Sequence, residues 1–184
     1  TVTVAYATSD GTATEDADYT GASGTLTFSP GDTTKTFTVP VLADSTDENN
    51  ETVTLTLSSA TNASISDATG TLTITDDDAA PTLAIAAASV AENGTTGSMT
   101  VTLSAASGKT VTVDYATGTG GTATSGTDFT AASGTLTFSA GDTSKTISVT
   151  ITNDSTFEGD ETIPVTISNP SNATIATASA NLTI

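Results

Sequence analysis

The sequence predicts an all-β protein made of tandem β-sandwiches. Short runs in which apolar and polar residues alternate recur along the chain, as at 24–28, where Leu26 and Phe28 share one face. Turn signals separate the runs: Pro30-Gly31, for example, suits the two central positions of a type II turn. No window shows helical spacing of apolar residues. Short strands without helices are typical of a sandwich or barrel, and we expect a sandwich of two sheets with Greek-key-like connections.

The first part of the chain contains five predicted strands, each marked by apolar residues on one face. In order they are 1–8 (Val2, Val4, Tyr6), 24–28 (Leu26, Phe28), 35–41 (Phe37, Val39, Val41), 52–57 (Val53, Leu55, Leu57) and 71–74 (Leu72, Ile74). The intervening loops are rich in Gly, Ser, Thr and acidic residues. Pro40 and Pro164 fall inside strand patterns and predict edge positions, because proline cannot donate a hydrogen bond to a ladder.

The same pattern then repeats, which is the sequence signature of tandem domains of one kind. The matching segments are TVTVAYAT at 1–8 and TVTVDYAT at 110–117, SGTLTFSPGDTTKTFTV at 23–39 and SGTLTFSAGDTSKTISV at 133–149, DSTDENNET at 44–52 and DSTFEGDET at 154–162, and GTLTI at 70–74 and ANLTI at 180–184. We therefore predict a first domain at 1–78, a linker at 79–81 and a second domain at 82–184.

The two copies differ at their starts and ends. Strand candidates at 83–85 and 99–103 have no counterpart before Thr1, so the first domain lacks its opening strands and is expected to expose sheet edges. Either the opening segment lies outside this sequence or another chain supplies a strand. The second copy lacks the acidic run that closes the first.

The composition excludes several classes of partner and of catalytic site. Three Lys against 21 acidic residues give a net charge of −18, which argues against nucleic acids and anionic membrane surfaces as partners. The absence of Cys and His excludes disulfides, thiol nucleophiles, Ser-His-Asp triads and the usual zinc ligand sets. The sequence contains no stretch of ~18 apolar residues, so it gives no prediction of a membrane-spanning helix. A glycosidase carboxylate pair is disfavoured because the chain has no Trp to form a sugar platform.

Acidic residues are concentrated in the predicted loops, where carboxylates from several loops could converge on a hard cation. In the first copy they are Asp18, Asp44, Glu48, Glu51, Asp76, Asp77 and Asp78; in the second they are Glu92, Asp128, Asp154, Glu158 and Glu161. Calcium takes six to eight oxygen ligands and tolerates irregular geometry. Oxygen-only ligation also agrees with the lack of Cys and His. The alternative is that these charges are only solvated loop surface.

Five segments in order resemble the Calx-β motif found in sodium–calcium exchangers, integrin β4 and large bacterial surface proteins. They are SVAENG, VTVDYATGTGGTATSGTDF, SGTLTFSAGDTSKTISV, NDSTFEGDET and LTITDDD. The resemblance implies immunoglobulin-like sandwiches of about seven strands. In calcium-binding members it also implies a site where the chain leaves the domain, with the acidic residues above as ligands. One departure is that Ala43-Asp44 and Asn153-Asp154 stand where the family often has two acids.

We therefore expect a non-enzymatic, extracellular structural module of a repeat array, as in an adhesin stalk or filament. Calcium at the domain junctions would stiffen the array. The expected partners are neighbouring repeats and, by strand complementation, other copies of the chain. Two alternatives stay open: a calcium-sensing module whose partner binding is switched by the ion, and a cation-independent ligand-binding or adhesive domain.

Overall fold

The computed structural model describes residues 1–155 and 158–184, in which every regular element is a β-strand. The all-β prediction is therefore confirmed. The acidic segment predicted at 154–162 includes Thr156 and Phe157, which lie outside the described residues. The chain divides into two compact units, the first formed by 1–45 and 49–77 and the second by 46–48 and 78–184.

The first unit is one antiparallel sheet. Its strands are β1 (Val2–Asp10), β2 (Ser23–Phe28), β3 (Glu51–Thr61) and β4 (Thr69–Ile74), in the order β2-β1-β3-β4. The repeat pattern sets the register, with Val4 opposite Leu26 and Val53 opposite Leu72. The core of this unit is small: Ala13, Tyr19 and Val53 are buried, and Val39, Leu55, Leu72 and Ile74 pack against them while only partly buried.

The second unit is a sandwich of two five-stranded sheets. Its strands are β5 (Thr82–Ile85), β6 (Ala88–Ser89), β7 (Thr96–Leu103), β8 (Val111–Thr117), β9 (Phe129–Thr130), β10 (Ser133–Phe138), β11 (Ser144–Ile151), β12 (Thr162–Ser171), β13 (Thr174–Thr177) and β14 (Ser179–Thr183). One sheet has the order β10-β8-β12-β14-β6 and the other β13-β5-β7-β11-β9. Alternate residues of β7 and β11 are buried, which is the period-2 pattern of a strand with one face on the core.

The predicted strand at 35–41 is wrong for the first unit, where the structure assigns no strand to this segment. The matching segment of the second unit is β11, which pairs with β7 along its whole length. Among the described residues, no strand pairs with residues 35–41 as β7 pairs with β11. A strand is defined by its ladder, so the same alternating sequence forms a strand only where a partner is present.

The predicted edge position of Pro164 is also wrong, because β12 lies between β8 and β14. Pro164 is tolerated there because it lies opposite the end of β8. The amide of Gly118, just beyond that end, donates to the Pro164 carbonyl at 2.7 Å. Because proline has no N–H, the ladder loses one hydrogen bond, and it loses it at its end.

Candidate metal centre

Strand ends bring acidic residues together at one end of the second unit. Asp128 immediately precedes β9, and its carbonyl accepts from the Thr152 amide at 2.8 Å. Glu161 immediately precedes β12 and exchanges two backbone hydrogen bonds of 2.9 Å with Ile184. Glu92 follows β6. The sheet ladders thus fix the backbone on which these carboxylates are carried.

Three of these carboxylates form a compact group. Oxygens of Asp128, Glu158 and Glu161 all lie within 4.8 Å of one another. Asp128 is buried, Glu161 is half-buried and Glu158 is exposed, so the group opens from the protein interior to solvent. It lines a cavity of about 390 Å³, to which Glu92 and Asp160 also contribute.

The carboxylates of this group make ionisation of their neighbours less favourable, which raises the pKa of two of them. Burial, then the charge of Asp128 and a hydrogen bond with it, raise the pKa of Glu161. Loss of solvent, followed by the charge of Asp128, also raises the pKa of Glu158, and Asp154 and Glu92 add smaller contributions. Nearby like charges make ionisation more difficult. In the described part of the chain no cationic side chain forms an ion pair with this group.

One oxygen of Glu161 stands out. Its Oε2 atom is buried and has no hydrogen-bond partner among the described residues. Buried polar atoms in proteins are almost always paired, because an unpaired one keeps the full cost of losing water. Asp128 contrasts with it, since Asp128 Oδ2 accepts from the Thr124 amide at 2.6 Å. A cation bound between the carboxylates would supply the partner that this Oε2 atom lacks.

The remaining predicted ligands of the second copy lie close to this group or at its edge. Glu92 lines the cavity, and its Oε1 atom accepts from the Asp154 amide at 3.2 Å. Asp154 is exposed. Three carboxylates with Glu92 beside them give a set of oxygen donors suited to calcium, which would complete its six to eight ligands with water or carbonyl oxygens.

In the first unit, the structure brings carboxylate oxygens of Asp18 and Glu51 within 4.8 Å of each other. Asp18 Oδ2 accepts from the Thr14 amide at 2.6 Å, as Asp128 does from Thr124, so the repeated turn is conserved within the chain. Glu48 belongs to the second unit, and its stem lies against Gly108.

The other predicted ligands of the first copy are less enclosed. Asp44 and Asp77 are exposed, and Asp76 and Asp78 are half-buried. The Asp76 amide donates to Asn50 Oδ1 at 3.0 Å.

Sequence reasoning missed two acidic residues. Asp160 lines the cavity, although it was not among the predicted ligands. Asp47, which is 5% exposed, has a structural role: its carboxylate pairs with Lys109 Nζ at 2.7 Å and accepts from Ser107 Oγ at 3.1 Å. The available signal was the difference between the copies, since Asp47 stands where the second copy has Phe157.

Both halves of the chain match a known domain family. The family model described as the Calx-beta domain matches residues 1–78 and 76–184. No curated protein matches the sequence. The described residues include no helix with the length and apolar character needed to cross a membrane.

Solved structures share the fold. The crystal structure of CBD12 from CALX1.2 is 23% identical with a TM-score of 0.52, covering 98% of this chain and 86% of that one. The calcium binding domain CBD12 of CALX1.1 is 23% identical with a TM-score of 0.51, covering 100% and 87%. The Calx CBD2 domain is 20% identical with a TM-score of 0.51, covering 55% and 84%. At these identities the likeness shows the fold alone.

Proposed function

Because the chain belongs to the Calx-beta domain family, with both of its halves matching the family model, we propose that it is a calcium-binding tandem module. The binding site of the second unit is formed by Asp128, Glu158 and Glu161, with Glu92 at its side. The observation that carries this proposal is the buried, unpaired Oε2 atom of Glu161 within a group of carboxylates whose oxygens lie within 4.8 Å of one another.

Calcium is favoured over other ions by the chemistry of the donors. All candidate ligands are carboxylates, which suit hard cations, and the side chains come from three segments of the chain, with Glu158 and Glu161 in the same one. Magnesium demands near-ideal octahedral geometry and gives up its water reluctantly, whereas calcium accepts irregular sets of oxygens. CBD12 of CALX1.1, which shares the fold, is described as a calcium binding domain, and this supports the same assignment here.

The proposal is tested by titrating calcium into the whole chain and into two variants by calorimetry. The double variant Asp128→Asn, Glu161→Gln removes two ligand charges while retaining shape. The control, Asp32→Asn with Asp142→Asn, also removes two charges, but from carboxylates that pair with lysines at surface turns and do not belong to the group. We expect affinity to fall by at least about tenfold in the first variant and by less than about twofold in the control. Equal losses in both variants would show that calcium responds only to overall charge.

We further propose that the module is a non-enzymatic, extracellular part of a repeat array, with neighbouring repeats as its partners. The high acidic charge and the tandem repeat support this role. The measured affinity separates this role from calcium sensing. Extracellular structural modules bind in the range of ~10⁻⁴–10⁻³ M, and sensors in the range of ~10⁻⁷–10⁻⁵ M.

Stiffening of the junction at 79–81 by calcium stays a prediction of this proposal. Small-angle scattering of the chain in calcium and in chelator tests it. A narrower distribution of sizes in calcium is expected, and identical distributions would contradict stiffening.

A further inference from the structure

A four-residue segment at 121–124, which we call the clamp segment, lies against the start of β12. The Thr162 amide donates to Thr122 Oγ1 at 2.9 Å, and the Thr122 amide donates to Thr162 Oγ1 at 3.3 Å. The Ala123 amide donates to the Thr162 carbonyl at 3.2 Å. Three hydrogen bonds therefore fix the clamp segment to the residue that directly follows Glu161.

The clamp segment approaches β12 too closely to carry a side chain at its first position. A Cβ atom built on Gly121 would overlap the carbonyl oxygen of Thr162 and would lie 2.6 Å from Cδ of Pro164. Glycine is the residue that permits such a close approach of one backbone to another. The sequence of the clamp segment is therefore fitted to the start of β12.

The other end of the clamp segment holds Asp128. The Thr124 amide donates to Asp128 Oδ2 at 2.6 Å, and the Asp128 amide donates to the Thr124 carbonyl at 2.9 Å. Both the carboxylate and the backbone of Asp128 are therefore bound to Thr124. Asp128 and Glu161 are far apart in the sequence, yet the short stretch from Thr122 to Thr124 connects them in the structure.

The same hydrogen bonds recur in the first unit. There the Thr52 amide donates to Thr12 Oγ1 at 2.8 Å, and the Ala13 amide donates to the Thr52 carbonyl at 3.1 Å. The Thr14 amide donates to Asp18 Oδ2 at 2.6 Å. The first unit is a single sheet and the second is a sandwich of two, so these bonds do not depend on a second sheet. Because they form in two different surroundings, they are a property of the repeated sequence itself.

The spacing between the clamp segment and the acidic residue is also kept. Seven positions separate Gly11 from Asp18, and seven separate Gly121 from Asp128. The loop ahead of Gly121 is nevertheless one residue longer than the loop ahead of Gly11. The chain therefore tolerates a change of length before the clamp segment, whereas the spacing that follows it is the same in both copies.

The candidate metal centre needs a support of this kind. Oxygens of Asp128, Glu158 and Glu161 lie within 4.8 Å of one another, and like charges at such a separation repel. Ligands on a free backbone would move apart, and an ion would then have to order them again when it binds. A segment bonded at the starts of both β9 and β12 keeps two of the ligands close before the ion arrives.

We propose that Thr122 is a positioning residue of the candidate metal centre, which holds Glu161 beside Asp128 by accepting from the Thr162 amide. The inference rests on the proposed calcium site, because it names the residue that sets the separation of two of its ligands. Residues that support a metal ligand without touching the metal typically contribute about 10–100-fold to affinity. Thr122 supports the backbone beside Glu161 and not its carboxylate, so we expect a contribution of about three- to tenfold.

Thr122→Val tests the proposal, because valine keeps the shape of threonine but cannot accept from the Thr162 amide. Thr122→Ser restores the hydroxyl group and is the rescue variant. The matched control is Thr117→Val in the same unit. Thr117 Oγ1 accepts from the Ala132 amide at 3.0 Å, so this variant removes a bond of the same kind that does not join the clamp segment to β12.

Calcium is titrated into the whole chain and into each variant, and NMR signals of the second unit report the dissociation constant. We expect Kd to rise about three- to tenfold in Thr122→Val and to change by less than about twofold in Thr122→Ser and Thr117→Val. Thr117→Val should cost at least as much stability in urea unfolding, because Thr117 is the more buried of the two threonines. Equal losses of affinity in the two valine variants would overturn the positioning role.

Hydrogen exchange in chelator tests the positioning role without calcium. The Thr124 amide, which donates to Asp128, should exchange at least about threefold faster in Thr122→Val and at an unchanged rate in Thr117→Val. Unchanged exchange at Thr124 in Thr122→Val would overturn the inference whether or not calcium binds. Faster exchange in a chain that binds no calcium would refute the calcium proposal and would support the link that the clamp segment makes between Asp128 and Glu161.

Discussion

Leu72 and Leu182 provide a matched pair of positions for measuring what the second sheet contributes to stability. Both occupy matching positions of the internal repeat, in GTLTI at 70–74 and ANLTI at 180–184, and both lie opposite matching residues of a neighbouring strand, Val53 for Leu72 and Ile163 for Leu182. Leu182 is fully buried, whereas Leu72 is half-buried. Truncating each to Ala therefore compares one side chain in a closed sandwich with one in an open sheet.

The structure sets the expected magnitudes. A Cβ atom built on Gly97 of β7 would overlap Cδ2 of Leu182, so this side chain reaches the opposite sheet of the second unit. Leu182→Ala removes those contacts and leaves a closed cavity, which typically costs 2–5 kcal/mol, and we expect about 3 kcal/mol. Leu72→Ala removes a half-buried side chain beside an already open face, so its cost is about 1 kcal/mol.

Urea unfolding followed by resolved NMR signals of each unit is the appropriate assay, because it reports the free energy of unfolding of the two units separately. A loss in the second unit at least about twice that in the first is expected. Equal losses, or a larger loss for Leu72→Ala, would contradict the arrangement of the described residues, in which the first unit is one four-stranded sheet and the second unit is a sandwich of two sheets.

Three further predictions concern the second unit. Gly97→Ala should cost about 1–3 kcal/mol by overpacking, and combining it with Leu182→Ala should cost less than the sum of the two, as measured by urea unfolding. The pKa of Asp142 is lowered, mainly by its hydrogen bond from Lys145, so its stabilising effect is present above the unfolded pKa of ~3.9 and is lost as pH falls through the folded pKa. Asp142→Asn should therefore lower the melting temperature near neutral pH and have no effect in strong acid; a pH-independent loss would contradict this. Lys109→Met should cost about 2 kcal/mol or more, because it removes the cationic partner of the buried Asp47 carboxylate, while Lys145→Met at a partly exposed surface pair should cost under about 1 kcal/mol. Equal melting temperatures for these two variants would argue against a structural role for Asp47.

Much of the fold could be predicted from sequence because period-2 alternation and the internal repeat are local signals. The segment at 35–41 shows the limit of such signals: it has the same alternation as β11, but a strand also needs a neighbour, which is not a local property. Pro164 shows the same limit of local signals. A proline is tolerated at this position of a central strand because β8 ends opposite it, and where β8 ends cannot be read from the residues around Pro164.

The candidate site was partly predictable. The recurrence of acidic residues at matching loop positions of the two copies predicted Asp128, Glu158 and Glu161 as ligands. The fold brings these three together. Distinguishing Asp47 from its acidic neighbours was beyond sequence reasoning, because its role depends on Lys109 and Ser107, some 60 residues further along the chain. The pattern of charges along the sequence does not distinguish a carboxylate that forms an ion pair with a lysine from one that lies among other carboxylates.

Thermal unfolding of the second unit in calcium, magnesium and chelator tests the central claim most directly. A ligand that binds only the folded state stabilises it by RT ln(1 + [L]/Kd), which is about 1.4–2.7 kcal/mol at ~10 mM calcium for a Kd of ~10⁻³–10⁻⁴ M. The melting temperature should then rise by roughly 6–20 °C in calcium, much less in magnesium, and not at all in the Asp128→Asn, Glu161→Gln variant. Identical unfolding curves in all three solutions would contradict the account, and would mean that these carboxylates are only solvated surface charge.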